Sequence, residues 1–162
     1  MGASEGIGFE TARLLVEEGA RVLMTSRSGD KLAAAAEALH AQTGQTVEYV
    51  SADIRKADDV EALRAWVEGR TGHLDALVTA VGGSHRSLFV DLTDADWLAS
   101  YELNLLGNIR VIRAFRSLLA KAEAGRIVTL GAAAARMPYA HQIVSNVHKA
   151  GMLSLVKTLA LE

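Results

Sequence analysis

Short apolar runs alternate with longer segments in which apolar residues recur every three or four positions. Helical spacing covers Ile7 to Glu18, with Ala12, Leu15 and Val16 as its buried stripe, and the alanine-rich segment Asp30 to Thr43 favours a second helix. The strand-like runs are Arg21 to Ser26, Thr46 to Ser51, Asp75 to Val81 and Arg126 to Leu130. This alternation predicts βαβ units and a parallel sheet with helices on both faces.

Three more helices follow from the same spacing. Val60, Leu63 and Val67 space a third helix, which Gly72 is predicted to close. Thr93 and Asp96 resemble a capping box and begin the longest helix. Its predicted apolar face comprises Leu98, Leu105, Ile109, Ile112 and Phe115. A last helix is predicted from Ile143 to the end of the chain, with an apolar side formed by Val144, Val147, Leu153 and Val156.

The composition excludes several kinds of partner and site. The 162 residues make one domain, in which 50% are apolar and 22% are charged. A formal net charge of −2 provides no basic face for nucleic acid or an anionic membrane. The absence of cysteine excludes disulfides, thiolate metal sites and cysteine nucleophiles. No apolar run approaches the ~20 residues that span a bilayer, so the default expectation is a cytoplasmic protein.

Three glycines lie at the start of the first predicted helix. Gly2, Gly6 and Gly8 form a turn from which backbone N–H groups can approach a phosphate, and the helix dipole favours the negative charge. We therefore predict a dinucleotide-binding loop. Such a loop normally follows the central strand in the order 3-2-1-4-5-6, whereas only Met1 precedes it here. The expectation is that residues 1–162 are one dinucleotide-binding domain truncated at both ends, a fragment of a longer domain.

The residues at the end of the next strand indicate which dinucleotide cofactor is preferred. In dinucleotide folds this position meets the adenosine ribose, where a carboxylate accepts from a 2′-OH and an arginine suits a 2′-phosphate. The sequence here is Thr25-Ser26-Arg27, without a carboxylate. Arg27 therefore favours NADP(H) over NAD(H). The alternative is that Arg27 is only a solvated charge at a strand end.

Taken together, these motifs resemble the short-chain dehydrogenase/reductase family. The matching features are the glycine loop Gly2 to Gly8, Arg27, Ala52-Asp53-Ile54, Asp75 to Val78 leading to Gly82, Asn104, Gly125 to Val128, and Lys149-Ala150-Gly151. They occur in the family's order over essentially the whole chain. The resemblance implies a Rossmann-type, doubly wound α/β fold with three α/β/α layers.

The resemblance also implies roles in cofactor binding. Four residues of the loop would line the phosphates and ribose, namely Gly2, Ser4, Glu5 and Ile7. Arg27 would hold the 2′-phosphate, and Asp53 would accept from the adenine amino group with Ile54 beside it. Gly82 would let the nicotinamide ribose approach the sheet.

The same resemblance identifies a catalytic group that this chain retains only in part. Lys149 would hydrogen-bond the ribose and lower the pKa of a catalytic acid, and Asn104 would hold a water in the proton relay. The family's tyrosine, four residues before the lysine, is replaced by Ser145, and its serine is replaced by Ala132. The family's Asn-Asn-Ala-Gly at a strand end is altered to Thr79-Ala80-Val81-Gly82.

These replacements weaken the usual chemistry. A serine hydroxyl is a far weaker acid than a phenol, and Ala132 has no donor for a developing alkoxide. Substitute groups are the phenol of Tyr139 and the imidazoles of His141 and His148, although loop tyrosines usually pack and helix histidines are usually solvated. Ser145 with His148 also resembles a nucleophile and base, but no orienting carboxylate is evident. The remaining histidines lack metal-ligand spacing, so no metal site is predicted.

The functional hypothesis follows from these residues and the resemblance. It is an NADP(H)-dependent oxidoreductase acting on a ketone or secondary alcohol, such as a 3-oxoacyl thioester, a sugar or a steroid. The alternative is a catalytically silent nucleotide-binding or oligomeric scaffold protein. In this family the helices that carry Asn104 and Lys149 pair across subunits, so the resemblance implies a homo-oligomer, a dimer or a tetramer.

Overall fold

A computed structural model describes residues 1–162, in which helices and strands alternate. In the first half the elements are α1 (Gly6–Glu17), β1 (Leu23–Ser26), α2 (Gly29–Thr43), β2 (Glu48–Ser51), α3 (Ala57–Glu68) and β3 (Ala76–Thr79). In the second half they are α4 (Asp94–Tyr101), a π-helical turn (Glu102–Leu106), α5 (Gly107–Leu119), β4 (Arg126–Thr129) and α6 (Ile143–Leu159). The predicted alternation of helices and strands is therefore confirmed.

Local signals set several helix ends. The side chain of Ser28 caps α2 by accepting from the Lys31 backbone N–H, and Gly44 ends that helix with a φ of 72°. The capping box predicted from Thr93 and Asp96 is present at the start of α4. The predicted end of the third helix at Gly72 is wrong. That helix ends at Glu68, because backbone N–H groups beyond it turn back to Ala65 and Val67 carbonyls.

The longest predicted helix is interrupted. Between α4 and α5 the backbone widens into the π-helical turn around Asn104. The side-chain Nδ2 of Asn104 donates to the Ser100 carbonyl at 3.1 Å, the acceptor that the backbone N–H of residue 104 would use in an α-helix. The side chain thus competes with the regular backbone bond, and the sequence pattern alone did not reveal this turn.

The strands form two parallel pairs. β1 pairs with β2 from Leu23–Glu48 to Ser26–Ser51, and β3 pairs with β4 from Ala76–Arg126 to Thr79–Thr129. Each strand is shorter than predicted. Met1 and Gly2 lie between the pairs: the Met1 amino group donates to Val78 O at 2.7 Å, and Gly2 N donates to Thr25 O at 2.8 Å. The spatial order is therefore β2, β1, Met1–Gly2, β3, β4, as predicted for this topology.

Successive side chains of β1 point to opposite faces of the sheet. Met24 is buried in a cluster formed mainly by α1 and α2, whereas Leu23 packs against a second cluster formed mainly by α3 and α5. The helices therefore cover both faces in three layers.

Three residues of the predicted apolar faces point outward instead. Leu15 of α1 is 37% exposed, Leu98 of α4 is 64% exposed and Val147 of α6 is 50% exposed. By contrast, Val144 and Phe115 are buried as their spacing predicted. No helix combines the length and apolar character that crossing a membrane requires.

Burial lowers the pKa of the His148 imidazole below its ordinary value, so the unfolded chain binds this proton more tightly than the folded protein does. The free energy of unfolding therefore rises with pH over the range in which His148 loses its proton.

Candidate functional site

The glycine loop closes tightly on itself. A Cβ atom on Gly8 would lie 2.1 Å from the carbonyl oxygen of Gly2, so the turn has no room for a side chain there. The helix α1 begins at Gly6 without a side-chain cap, and the backbone N–H groups of Gly6 and Ile7 make no hydrogen bond. These free amides at a helix N-terminus can bind the oxygens of an anion such as pyrophosphate.

Polar groups from β1 and α2 adjoin this loop. Ser4 Oγ lies 2.8 Å from Ser26 Oγ, and the carboxylate of Glu5 pairs with Lys31 Nζ at 3.1 Å. Arg27 follows β1 directly, is exposed and forms no hydrogen bond or salt bridge. Its guanidinium is thus free to bind a phosphate beside the loop.

Asp53 has a partner that the sequence analysis did not identify. The Arg55 guanidinium donates to both carboxylate oxygens at 2.5–3.1 Å, and the Arg55 backbone N–H donates to Oδ1. Chiefly because of this side-chain pairing, the pKa of Asp53 is lowered to about 2. The carboxylate predicted to accept from adenine is therefore already bound by Arg55. The side chain of Ile54 is buried against Gly107.

Lys149 and Asn104 converge on Gly82. A Cβ atom on Gly82 would lie 2.7 Å from Lys149 Nζ and 3.0 Å from Asn104 Oδ1, so only glycine lets both polar groups approach the backbone here. Lys149 Nζ donates to Leu130 O at 3.2 Å, and burial lowers the pKa of its ammonium. The structure thus brings together three predicted site residues from the β3 loop, the π-helical turn and α6.

A cavity of about 510 Å³ opens beside Lys149. Its wall includes Thr129, Ala132, Arg136, Lys149 and Met152. Ala132 therefore faces this space with a methyl group and no donor. Ser145 lies one turn of α6 before Lys149, is buried, and makes no hydrogen bond through its hydroxyl.

The predicted substitute acids are spread apart. Tyr139 does not line the cavity, and its side chain is 45% exposed. Its backbone is held at both ends by Asn146, which accepts from Tyr139 N and donates to Tyr139 O. His141 is exposed, in the loop just before α6. Neither residue is brought to Lys149.

His148 is buried and forms a side-chain hydrogen bond that the sequence did not reveal. Its Nδ1 lies 3.0 Å from Ser100 Oγ, and the ring packs against Trp97 and Tyr101. Ser100 Oγ in turn accepts from Asn104 Nδ2 at 3.2 Å. The spacing of His148 three residues after Ser145 predicted no such contact, because Ser100 is 48 residues away in sequence.

The arrangement fits an elongated anionic ligand better than a metal ion. The free amides and Arg27 follow β1 and the glycine loop, whereas Lys149 and Asn104 lie against Gly82 after β3. No group of three or more His, Asp or Glu side chains is placed to hold a metal ion.

Comparisons with known proteins agree with this geometry. The model of the short chain dehydrogenase family matches residues 1–162. The chain is 30% identical to 2,3-dihydro-2,3-dihydroxybenzoate dehydrogenase of Bacillus subtilis, covering 99% of this chain and 61% of the relative. It is 31% identical to a 3-oxoacyl-acyl-carrier-protein reductase of Vibrio harveyi, covering 99% and 64%. The chain thus spans less than two thirds of these curated relatives.

Solved structures show the same fold. An NADPH-bound short-chain oxidoreductase from Pseudomonas aeruginosa with an atypical catalytic centre superposes with a TM-score of 0.92 and 32% identity, covering 99% of this chain and 63% of that one. An actinorhodin polyketide ketoreductase variant with NADPH superposes with a TM-score of 0.93 and 31% identity, covering 99% and 62%. The Rossmann-type architecture predicted from the sequence is therefore confirmed.

Proposed function

Since this chain belongs to the short-chain dehydrogenase family, we propose that it forms the cofactor-binding part of an NADP(H)-dependent oxidoreductase acting on a ketone or secondary alcohol. Proteins of this family have a Rossmann-type fold, bind NAD(P)(H) and act on small molecules. The 3-oxoacyl reductase and the polyketide ketoreductase among the relatives favour a 3-oxoacyl-type substrate. The observation that carries the proposal is the convergence of Lys149 Nζ and Asn104 Oδ1 on Gly82.

NADP(H) is proposed over NAD(H) because of Arg27. Arg27 follows β1 directly and makes no hydrogen bond or salt bridge, and its neighbour Ser26 contacts Ser4 of the glycine loop. Gly2, Ser4, Glu5 and Ile7 would line the phosphates, with the amides of Gly6 and Ile7 as donors. Asp53 would meet the adenine edge with Arg55 already bound to its carboxylate.

The cofactor supplies or accepts a hydride, and the chain's own residues hold it. Lys149 would donate to the nicotinamide ribose, since its ammonium lies against Gly82. Asn104 would hold a water in the proton relay at the same point. Ser145 stands where a phenolic acid would be expected, and its hydroxyl is a poor proton donor for a carbonyl.

A specific observation favours the second candidate, a nucleotide-binding protein with little or no turnover. Both positions predicted to carry the catalytic hydroxyl groups are altered, to Ala132 and Ser145, and neither Tyr139 nor His141 is brought to Lys149. NADPH binding without NADPH oxidation in the presence of 3-oxoacyl thioester, sugar and steroid ketones would support this candidate. Oxidation that Tyr139→Phe abolishes would instead assign the acid to Tyr139.

The proposal includes a homo-oligomer, a dimer or a tetramer. Members of this family commonly form oligomers. Here α4 and α6 present the exposed apolar side chains of Leu98 and Val147, which a second copy would cover. We expect light scattering to give at least twice the monomer mass, with Leu98→Glu shifting the protein toward monomer. A wild-type mass of one chain would contradict this part of the proposal.

A substitution at Gly82 tests the cofactor site. Gly82→Val places a branched side chain where Lys149 Nζ and Asn104 Oδ1 converge, so we expect NADPH affinity to fall at least ~100-fold, the effect of ~3 kcal/mol. The readout is a titration of NADPH fluorescence. Gly72→Val is the matched control, because no atom lies within 4 Å of a Cβ there. Equal affinity in both variants would place the nicotinamide elsewhere.

A further inference from the structure

Four groups form one continuous chain of hydrogen bonds beside the candidate site. Gly83 N donates to Asn104 Oδ1 at 3.0 Å, and Asn104 Nδ2 donates to Ser100 Oγ at 3.2 Å. Ser100 Oγ lies 3.0 Å from His148 Nδ1. These contacts join the β3 loop, the end of α4, the π-helical turn and α6.

The direction of these bonds follows from counting protons. Ser100 Oγ accepts from Asn104 Nδ2, and its only other hydrogen-bond partner is His148 Nδ1. A hydroxyl oxygen can accept two bonds, but the Ser100 proton would then have no acceptor. Donation of that proton to His148 Nδ1 satisfies both groups, and it requires a neutral imidazole with its own proton on Nε2. Burial favours the neutral form, because it lowers the pKa of His148.

Because members of this chain of hydrogen bonds are buried, losing one bond affects the next. Asn104 is 1% exposed and His148 is 6% exposed, so neither finds an adequate substitute partner in water. The amide of Asn104 can rotate by half a turn, which would exchange its donor and acceptor ends. Asn104 Nδ2 donates to both the Ser100 carbonyl and the Ser100 hydroxyl, and these bonds favour the orientation that directs Oδ1 at Gly83 N.

We propose that His148 is a positioning residue of this site: it fixes the Ser100 hydroxyl, which fixes the Asn104 amide and, through Oδ1, the Gly82–Gly83 loop at the nicotinamide end. The proposal rests on the proposed function for its effect on NADPH. Its effect on the Asn104 amide concerns the protein alone and is measured without cofactor.

The test compares three replacements at one position. His148→Asn keeps a polar atom on Cγ, where Nδ1 lies, whereas His148→Gln moves its polar atoms one bond further out, nearer the position of Nε2. His148→Leu removes both. We expect hydrogen exchange at the Gly83 amide to accelerate at least ~10-fold in the Leu and Gln variants and less than ~3-fold in the Asn variant. Ser100→Ala should match Leu, and the double variant should add nothing further.

Cofactor binding supplies the second readout. In the Leu, Gln and Ser100→Ala variants, we expect NADPH affinity to fall about 5- to 100-fold, while 2′,5′-ADP, which lacks the nicotinamide half, binds within ~2-fold of wild type. Equal Gly83 exchange in the Asn and Leu variants, or additive effects of Ser100→Ala and His148→Leu, would overturn the proposal. If Gly83 exchange follows the predicted order but wild type binds neither ligand, the positioning role stands and the proposed function fails.

Discussion

Restoring both missing hydroxyl groups, with Ser145→Tyr and Ala132→Ser together, is expected to raise the rate of NADPH oxidation with a 3-oxoacyl thioester about 10²- to 10⁴-fold. Ser145 lies one turn before Lys149 on α6, so a phenol there is on the same side as the buried ammonium. A nearby positive charge favours the phenolate and brings the acid closer to neutrality. Ala132 lines the adjoining cavity, where a serine hydroxyl can donate to the developing alkoxide.

The matched control is Ser154→Tyr, which adds the same side chain at an exposed position of α6. Ala132→Ser alone should give a smaller gain, because it adds a donor without an acid. NADPH affinity should stay within ~3-fold of wild type throughout. If the double variant binds NADPH normally and its rate does not exceed that of Ser154→Tyr, then Ser145 and Ala132 are not the positions that limit catalysis.

Reversing the charge of Arg27 should separate the two cofactors. With Arg27→Glu, we expect affinity for NADPH to fall about 10- to 100-fold and affinity for NADH to change less than ~3-fold. The reason is that Arg27 has no protein partner and lies at the end of β1, where a 2′-phosphate would bind. The measurement is a pair of fluorescence titrations at fixed ionic strength.

Arg113→Glu provides a matched change of charge. Arg113 is also exposed and unpaired but lies on α5, away from the glycine loop. An equal loss of NADPH affinity in both variants would attribute the effect to net charge. A parallel loss of NADH affinity in Arg27→Glu would show that Arg27 serves the shared part of the cofactor, and the preference for NADP(H) would then be wrong.

Local sequence patterns predicted the fold well because they act over short distances. The period of apolar residues, with the alanine content of α2, located the four strands and the α-helices, although α4 and α5 were predicted as one helix. The Thr93–Asp96 capping box was recognisable from four consecutive residues. One glycine was a misleading signal for a helix end. Gly72 was predicted to end the third helix, which in fact ends at Glu68 through bonds to carbonyls within its own last turn.

The parts of the site that sequence reasoning missed depend on side chains meeting in space. The π-helical turn arises from one side-chain bond of Asn104, which leaves the apolar period almost unchanged. The pairing of Ser100 with His148 joins helices 48 residues apart. Arg55, by contrast, is only two residues from Asp53, so the spacing of opposite charges would have been a usable signal.

The most direct test of the proposed cofactor site is a crystal structure of the chain with NADPH. We expect pyrophosphate oxygens on the amides of Gly6 and Ile7, the 2′-phosphate on the Arg27 guanidinium, and the nicotinamide ribose within hydrogen-bond distance of Lys149 Nζ above Gly82. A nucleotide bound elsewhere, or a ribose separated from Lys149 and Gly82, would contradict the proposed site.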